Sequence, residues 1–361
     1  MSKEAMEEEN RMEKINILGK YSDDLLTDPN FYLSLEGIKV LYIDNNIFSY
    51  ITNCFSYVDN SQFLEKRKQS VELLIFCKKN DILVEPVYAV QEKLKFDYSE
   101  ENIKKAFGYF RQFLTVYSLP NEFLYDCFVK GNKQKLDLPL VEDDYTFFKE
   151  SVSKYEMLKE WKSMYLLVLK IIIENLSSKS NEEKLKNIFD FMYYNYQIRI
   201  AVVIYCFYFF SDKQLICKMN KYKQSKSFEE NKENINNMTW DLYFMTMAYK
   251  NLSEKNKNSF FATEDKCLNG LMQFLMCYKA IEEMPEKIRN EKIQEVIYKI
   301  AVTRDIADYY FDLCCNPNRS TDKKRFYLKY VNEEFTQKRD ELICELEKKL
   351  KTFYLQKNMF V

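Results

Sequence analysis

Short apolar runs that stop abruptly at polar residues are the main organising signal near the two ends of the chain's first and last thirds. In residues 38–50, IKVLYIDNNIFSY, an apolar stretch ends at Asp44-Asn45-Asn46, and an apolar helical segment starts at Ile47. This pattern predicts a buried strand that delivers a carboxylate and amides to its C-terminal edge, the edge where open α/β sheets bind ligands. In residues 259–272, SFFATEDKCLNGLM, a second apolar run stops at Thr263-Glu264-Asp265 before another helical segment. Residues 82–86, ILVEP, predict a further strand, and Pro86 suits the first turn of the helix that follows.

Elsewhere helical periodicity dominates. Val71, Leu74 and Ile75 recur at helical spacing, and the runs MLKEWKSMYLLVLKIIIENL and KLKNIFDFMYYNYQIRIAVVIYCFYFF predict core helices. The run 200–210 is too short to cross a bilayer, which takes about 20 residues, and Lys170 interrupts the other long apolar stretch. Both are expected inside a protein core, with no membrane partner. Residues 15–35 are expected to form one or two short helices covering the sheet. The last helix, about 333–356, places Leu342, Leu346, Leu350 and Phe353 on one face.

The ordered set of polar strand ends resembles the PIN-domain nuclease family. Asp44-x-Asn46 matches its first strand end, and Thr263-x-Asp265 matches a later one. Residues 82–95, ILVEPVYAVQEKLK, resemble its second strand and the helix carrying an inward acid, here Glu92, with Glu85 and Asp97 as neighbours able to take that place. Residues 236–250, NNMTWDLYFMTMAYK, resemble the helix whose first turn carries the third acid, here Asp241. The resemblance covers about residues 38–96 and 236–280. It implies an α/β fold, a PIN-like mainly parallel sheet flanked by helices, here with a large helical insertion and a C-terminal helical extension. The implied division is an extension at 1–37, a discontinuous core at 38–100 and 236–280, an insertion at 101–235 and C-terminal helices at 281–361.

The resemblance also implies a metal-dependent endonuclease. Asp44, Glu92, Asp241 and Asp265 would hold Mg²⁺ or Mn²⁺, Asn46 would orient Asp44 or a bound water, and Thr263 would support Asp265. Carboxylates suit such hard cations. The bland reading of Asp44 is a helix cap, that of Asn46 turn chemistry, that of Asp241 a first-turn acid favoured by the helix dipole, and that of Glu92 a solvent-facing helix residue. Glu264 is expected to point away from its neighbours, since alternate strand residues face opposite sides. The resemblance alone favours RNA over DNA and suggests a toxin or antiviral-defence effector. The rivals are a non-catalytic helical scaffold on a PIN-like core and a DNA nuclease of related fold.

Composition narrows the chemistry. The 361 residues include no histidine, so histidine acid–base catalysis and histidine-ligated zinc are excluded, while an all-oxygen metal site costs nothing. Ten cysteines are scattered without a Cys-x-x-Cys pair, which reads as buried free thiols in a reducing cytoplasm. The polar, acidic start MSKEAMEEEN does not resemble a signal peptide. Only 5 Gly and 6 Pro occur, in keeping with long helices and few hairpins.

With a net charge of −1, nucleic-acid binding would rely on local basic patches. One is Lys213, Lys218, Lys221, Tyr222, Lys223 and Lys226, within a segment expected to be a loop. Another is Arg319, Lys323, Lys324 and Arg325 with Phe326 and Tyr327. Lysines among aromatics suit single strands; the bland reading is a solvated loop. The insertion or the C-terminal helices are expected to serve a homo-oligomer or a protein partner.

Overall fold

The structure is a computed structural model that describes residues 16–18, 39–57, 59–94, 97–130, 137–153, 157–211, 222–223, 226–253, 259–282, 284–315 and 333–358. In chain order the elements are β1 (Asn16–Leu18), β2 (Val40–Ile43), α1 (Asn45–Thr52), α2 (Ser61–Lys79), β3 (Leu83–Glu85), α3 (Val87–Leu94), α4 (Glu100–Ser118), α5 (Asn121–Leu124) and α6 (Tyr145–Ser153). They continue with α7 (Met157–Leu176), α8 (Asn181–Asp190), α9 (Ile200–Phe209), α10 (Phe228–Ser253), β4 (Ser259–Thr263), α11 (Lys266–Glu282), α12 (Glu286–Ile300), α13 (Arg304–Cys315) and α14 (Glu333–Asn358). Helix predominates, beside one small sheet. No helix among the described residues is long and apolar enough to cross a membrane.

The sheet has the order β1-β4-β2-β3. Its three right-hand strands are parallel: Val40 pairs with Leu83 and Tyr42 with Glu85, while Leu41 pairs with Phe260 and Ile43 with Ala262. β1 adds an antiparallel edge, with Asn16 opposite Thr263. Residues 16–18 are therefore strand, where helix was expected from the sequence. The short run NIL carries no helical period, and the open edge of β4 supplies backbone partners that a marginal three-residue segment lacks alone. The rest of 15–35 lies outside the described residues.

The chain divides into two compact units, one of residues 1–155 and 250–269, the other of 156–249 and 270–361. This corrects the expected division. Helices α4 to α6 were assigned to an insertion spanning 101–235, but they belong to the unit that holds the sheet. Phe113 and Val116 of α4, Leu124 of α5 and Phe148 and Val152 of α6 are buried in one core with Leu41, Ile43, Phe48 and Val84. The Phe48 and Phe113 rings lie 5.7 Å apart. A three-strand parallel sheet exposes apolar surface on its faces unless helices cover it, and α4 supplies an amphipathic face for that purpose.

The second unit is helical among its described residues. As the apolar run predicts, α9 is helix, and Ala201 to Tyr208 are buried throughout. α7 packs against α14, where Tyr165 Oη donates to Glu347 Oε1 at 2.8 Å and Lys162 pairs with Asp340 at 3.2 Å. Lys170, which interrupts the apolar α7, is matched by the buried Glu174 at 2.6 Å. On α14 Leu342, Leu346, Leu350 and Tyr354 are buried at helical spacing. α10 starts at Phe228, well before the polar stretch ends. Ser227 and Glu230 form a reciprocal cap, with Glu230 N–H donating to Ser227 Oγ at 3.3 Å and Ser227 N–H to Glu230 Oε2 at 2.7 Å. That S-x-x-E pattern satisfies free backbone donors and starts a helix through a segment that composition alone reads as loop.

Candidate functional site at the sheet edge

The parallel register fixes which residues meet. Ile43 pairs with Ala262, so the next residue on each strand, Asp44 and Thr263, stand side by side at the C-terminal edge. The ladder runs one step further, with Asp44 N–H donating to the Ala262 carbonyl at 3.1 Å. Asp44 is only 4% exposed. Its Oδ1 accepts from Ile47 N–H at 2.8 Å, capping α1, and its Oδ2 accepts from Thr263 Oγ1 at 2.8 Å. Thr263 Oγ1 in turn accepts from Asp265 N–H at 3.0 Å. Asp265 caps α11, its Oδ1 accepting from Cys267 N–H at 2.8 Å and Leu268 N–H at 3.1 Å. One hydroxyl thus links two strand-end acids, each seated on the N-terminus of a helix, where negative charge is favoured.

Burial pushes the Asp44 carboxyl up to about 6, against the bonds from Ile47 and Thr263 that favour its charged form, and the nearby charge of Glu264 adds to the rise. A buried carboxylate loses its hydration, and the neutral donors Ile47 N–H, Thr263 Oγ1 and Glu264 N–H replace only part of it.

Glu92 on α3 accepts from Asn45 Nδ2 at 3.2 Å. Asn45 Oδ1 accepts from Ser49 Oγ at 3.4 Å. The amide that reaches Glu92 is therefore Asn45, while Asn46, expected to orient Asp44 or a bound water, is exposed. Both follow a capping Asp, so composition does not separate them; rotation about the first turn of α1 does. Of the two neighbours weighed against Glu92, Glu85 ends β3 opposite Tyr42 and accepts from Val87 N–H at 3.1 Å, with burial raising its carboxyl. Asp97 is exposed and turns back onto Ser99 N–H at 2.9 Å, which lowers its carboxyl.

Asp241 lies in the second unit, in the body of α10 and not in a first turn. Its charge acts on Tyr205 of α9, whose hydroxyl is pushed well above the usual phenol range chiefly by burial. The first-turn placement fails because the Ser227–Glu230 cap starts α10 more than three turns earlier.

Glu264, expected to point away from Thr263 and Asp265, lies just past the end of β4, and its Oε2 stands 3.2 Å from Lys66 Nζ. The pattern of the sequence offers no signal for Lys66, which sits in a charged stretch of α2.

Of the first basic patch, Lys213, Lys218 and Lys221 lie outside the described residues. Tyr222 is buried at 7% exposure, so it is not placed to stack on a base. Lys223 is exposed, and the side chain of the fully buried Asn231 bonds both its N–H and its carbonyl, at 2.8 Å each. Lys226 is half-buried. The patch at Arg319, Lys323, Lys324, Arg325, Phe326 and Tyr327 lies outside the described residues.

All-oxygen donors suit Mg²⁺ or Mn²⁺. Among the described residues, however, no group of three or more His, Cys, Asp or Glu side chains is gathered so as to hold a metal ion. Asp44 gives both oxygens to protein donors, and Asp265 gives one to a helix end. As placed, the acids do not form a metal cage. No protein-family model, curated protein or solved structure matches the chain.

Proposed function

We propose that the chain is a PIN-like endonuclease that hydrolyses phosphodiester bonds of single-stranded RNA at the C-terminal edge of its parallel strands. The observation that carries this reading is the hydrogen-bonded run from Asp44 through Thr263 to Asp265 across two adjacent strand ends. Glu92 bonds to Asn45, the residue next to Asp44 in the chain. The proposed site uses residues of the first unit alone. Asp44 is its central acid, buried at the strand end with both oxygens held in fixed directions by Ile47 N–H and Thr263 Oγ1. Thr263 fixes the orientation of Asp44 and of the Asp265 backbone together. Mg²⁺ or Mn²⁺ belongs to the proposal through the family resemblance alone: as placed, Asp44, Glu92 and Asp265 are not gathered to hold it, and these acids would have to give up their present hydrogen bonds before a metal could supply a bound water of lowered pKa.

The test is cleavage of end-labelled single-stranded RNA, single-stranded DNA and branched DNA by the full chain, with Mg²⁺, with Mn²⁺ and with EDTA. The expected result is metal-dependent cleavage of RNA with 5′-phosphate and 3′-hydroxyl ends, abolished by Asp44→Asn. Cleavage that persists in EDTA, products with 2′,3′-cyclic phosphate, or full activity of Asp44→Asn would overturn it.

A second reading is a non-catalytic scaffold on the same core. It is favoured by the capping roles of Asp44 and Asp265, which account for both acids without any reaction. Inactivity of the chain on every nucleic-acid substrate under all metal conditions would select it.

A further inference from the structure

A group of side chains where α1 meets α2 has no part in the proposed reaction. Lys66 Nζ stands 3.2 Å from Glu264 Oε2 and donates to Tyr50 Oη at 3.3 Å. The ammonium also lies 5.5 Å from the centroid of the Tyr50 ring. Phe63 meets the same ring edge-on, with centroids 5.1 Å apart. The Glu264 side chain is 9% exposed and that of Lys66 is 37%, so the acid is the anchor and the cation is what solvent meets. An ammonium has three donors; the Tyr50 bond occupies one, and Glu264 faces the cation as a charge partner.

Position gives the group its interest. Glu264 is the residue between Thr263 and Asp265, and Tyr50 follows Asp44 along α1 by less than two turns, roughly 9 Å of helix axis. A half-exposed ion pair of this kind contributes little stability. Its consequence is to hold one cation, beside two half-buried rings, next to the strand-end acids. A lysine beside aromatic rings is the arrangement that single-stranded nucleic acids bind, through phosphate and base stacking.

We infer that Lys66, Tyr50 and Phe63 form a subsite for single-stranded RNA beside the Asp44–Thr263–Asp265 edge. Lys66 takes a backbone phosphate flanking the scissile one, and the two rings receive the adjoining base. This rests on the phosphodiester reading of the edge and adds the residues that seat the substrate.

The experiment measures binding of the full chain to a fluorescein-labelled single-stranded RNA of mixed sequence by anisotropy. It is run across a salt series in EDTA, and again with Ca²⁺, beside a DNA oligonucleotide of the same sequence. Each phosphate contact contributes about 0.7 to the slope of log affinity against log salt for a single strand. Lys66→Gln is expected to lower that slope by about 0.7 and to weaken binding about eight-fold at 50 mM salt, with Lys66→Arg restoring both. Tyr50→Ala is expected to weaken binding at least about five-fold with the slope unchanged, and far-UV circular dichroism verifies that each variant is folded. If the native chain binds RNA and Lys66→Gln keeps both slope and affinity, the subsite is overturned while the nuclease reading stands. If the native chain binds only the DNA oligonucleotide, the RNA assignment is overturned. If it binds neither, the subsite and the nuclease reading fall together.

Discussion

Replacing Asp44 with Asn should change the pH dependence of stability in a direction opposite to the usual carboxylate. Most native acids sit below their unfolded pKa and stabilise the fold as they ionise. Asp44 sits above it: its carboxyl ionises about 6 in the folded chain against 3.8 when solvated. The unfolded chain therefore releases this proton first as pH rises. Between about pH 4 and 6 the native state holds more protons than the unfolded one, so stability falls with rising pH. The contribution is fully present below pH 4 and lost above pH 6. A shift of roughly two pKa units corresponds to about 3 kcal/mol. Asp44→Asn has no such proton to lose. Its side-chain oxygen still accepts from Ile47 N–H, while the amide must re-pair with Thr263, at a cost of about 1 kcal/mol. The variant should thus be slightly less stable than the native chain at pH 4 and about 2 kcal/mol more stable at pH 7. The assay is urea unfolding in EDTA at several pH values by far-UV circular dichroism. Both tryptophans, Trp161 and Trp240, belong to the second unit, so the ellipticity change that tryptophan fluorescence does not share reports the first. A stability difference that stays flat from pH 4 to 7, or grows with the opposite sign, would refute the claim that Asp44 is ionised at the expense of the fold.

Thr263→Val keeps shape but removes the hydroxyl that donates to Asp44 and accepts from Asp265 N–H; at a site with no exposure it should cost about 2 kcal/mol in the same unfolding experiment. Phe48→Ala empties a fully buried position packed on Phe113 and should cost about 3–5 kcal/mol in the first unit while leaving the tryptophan transition in place. Leu350→Ala, at a fully buried position on α14, should instead shift the tryptophan transition, by about 2–5 kcal/mol. Among the described cysteines, the exposed Cys344 should react first with a thiol reagent at pH 8; burial pushes the Cys54 and Cys77 thiols up to about 12, so they should stay unmodified until the chain unfolds.

Local pattern determined a good part of this protein. The apolar run before Asp44 places that residue at a strand end, because four apolar residues followed by three polar ones leave a short buried strand little choice. The same logic places Thr263 and Asp265, and the uninterrupted apolar stretch at 200–210 specifies a buried helix. The absence of histidine restricts the acid–base chemistry without any knowledge of the fold. The start of α10 was also legible, in Ser227 and Glu230, though composition pointed to a loop and so placed Asp241 in a first turn. What the sequence could not decide is who meets whom. Thr263 bonds to Asp44 only because the β2–β4 register is parallel and in step, a relation between residues far apart in the chain. Asn45 reaches Glu92 because of the rotation of α1 on its neighbours, and Lys66 meets Glu264 because α2 packs on α1, the helix that lies against β4. Strand and helix periods are written in successive residues, whereas these pairings depend on how whole elements pack, and many sequences with the same local pattern would pack them otherwise.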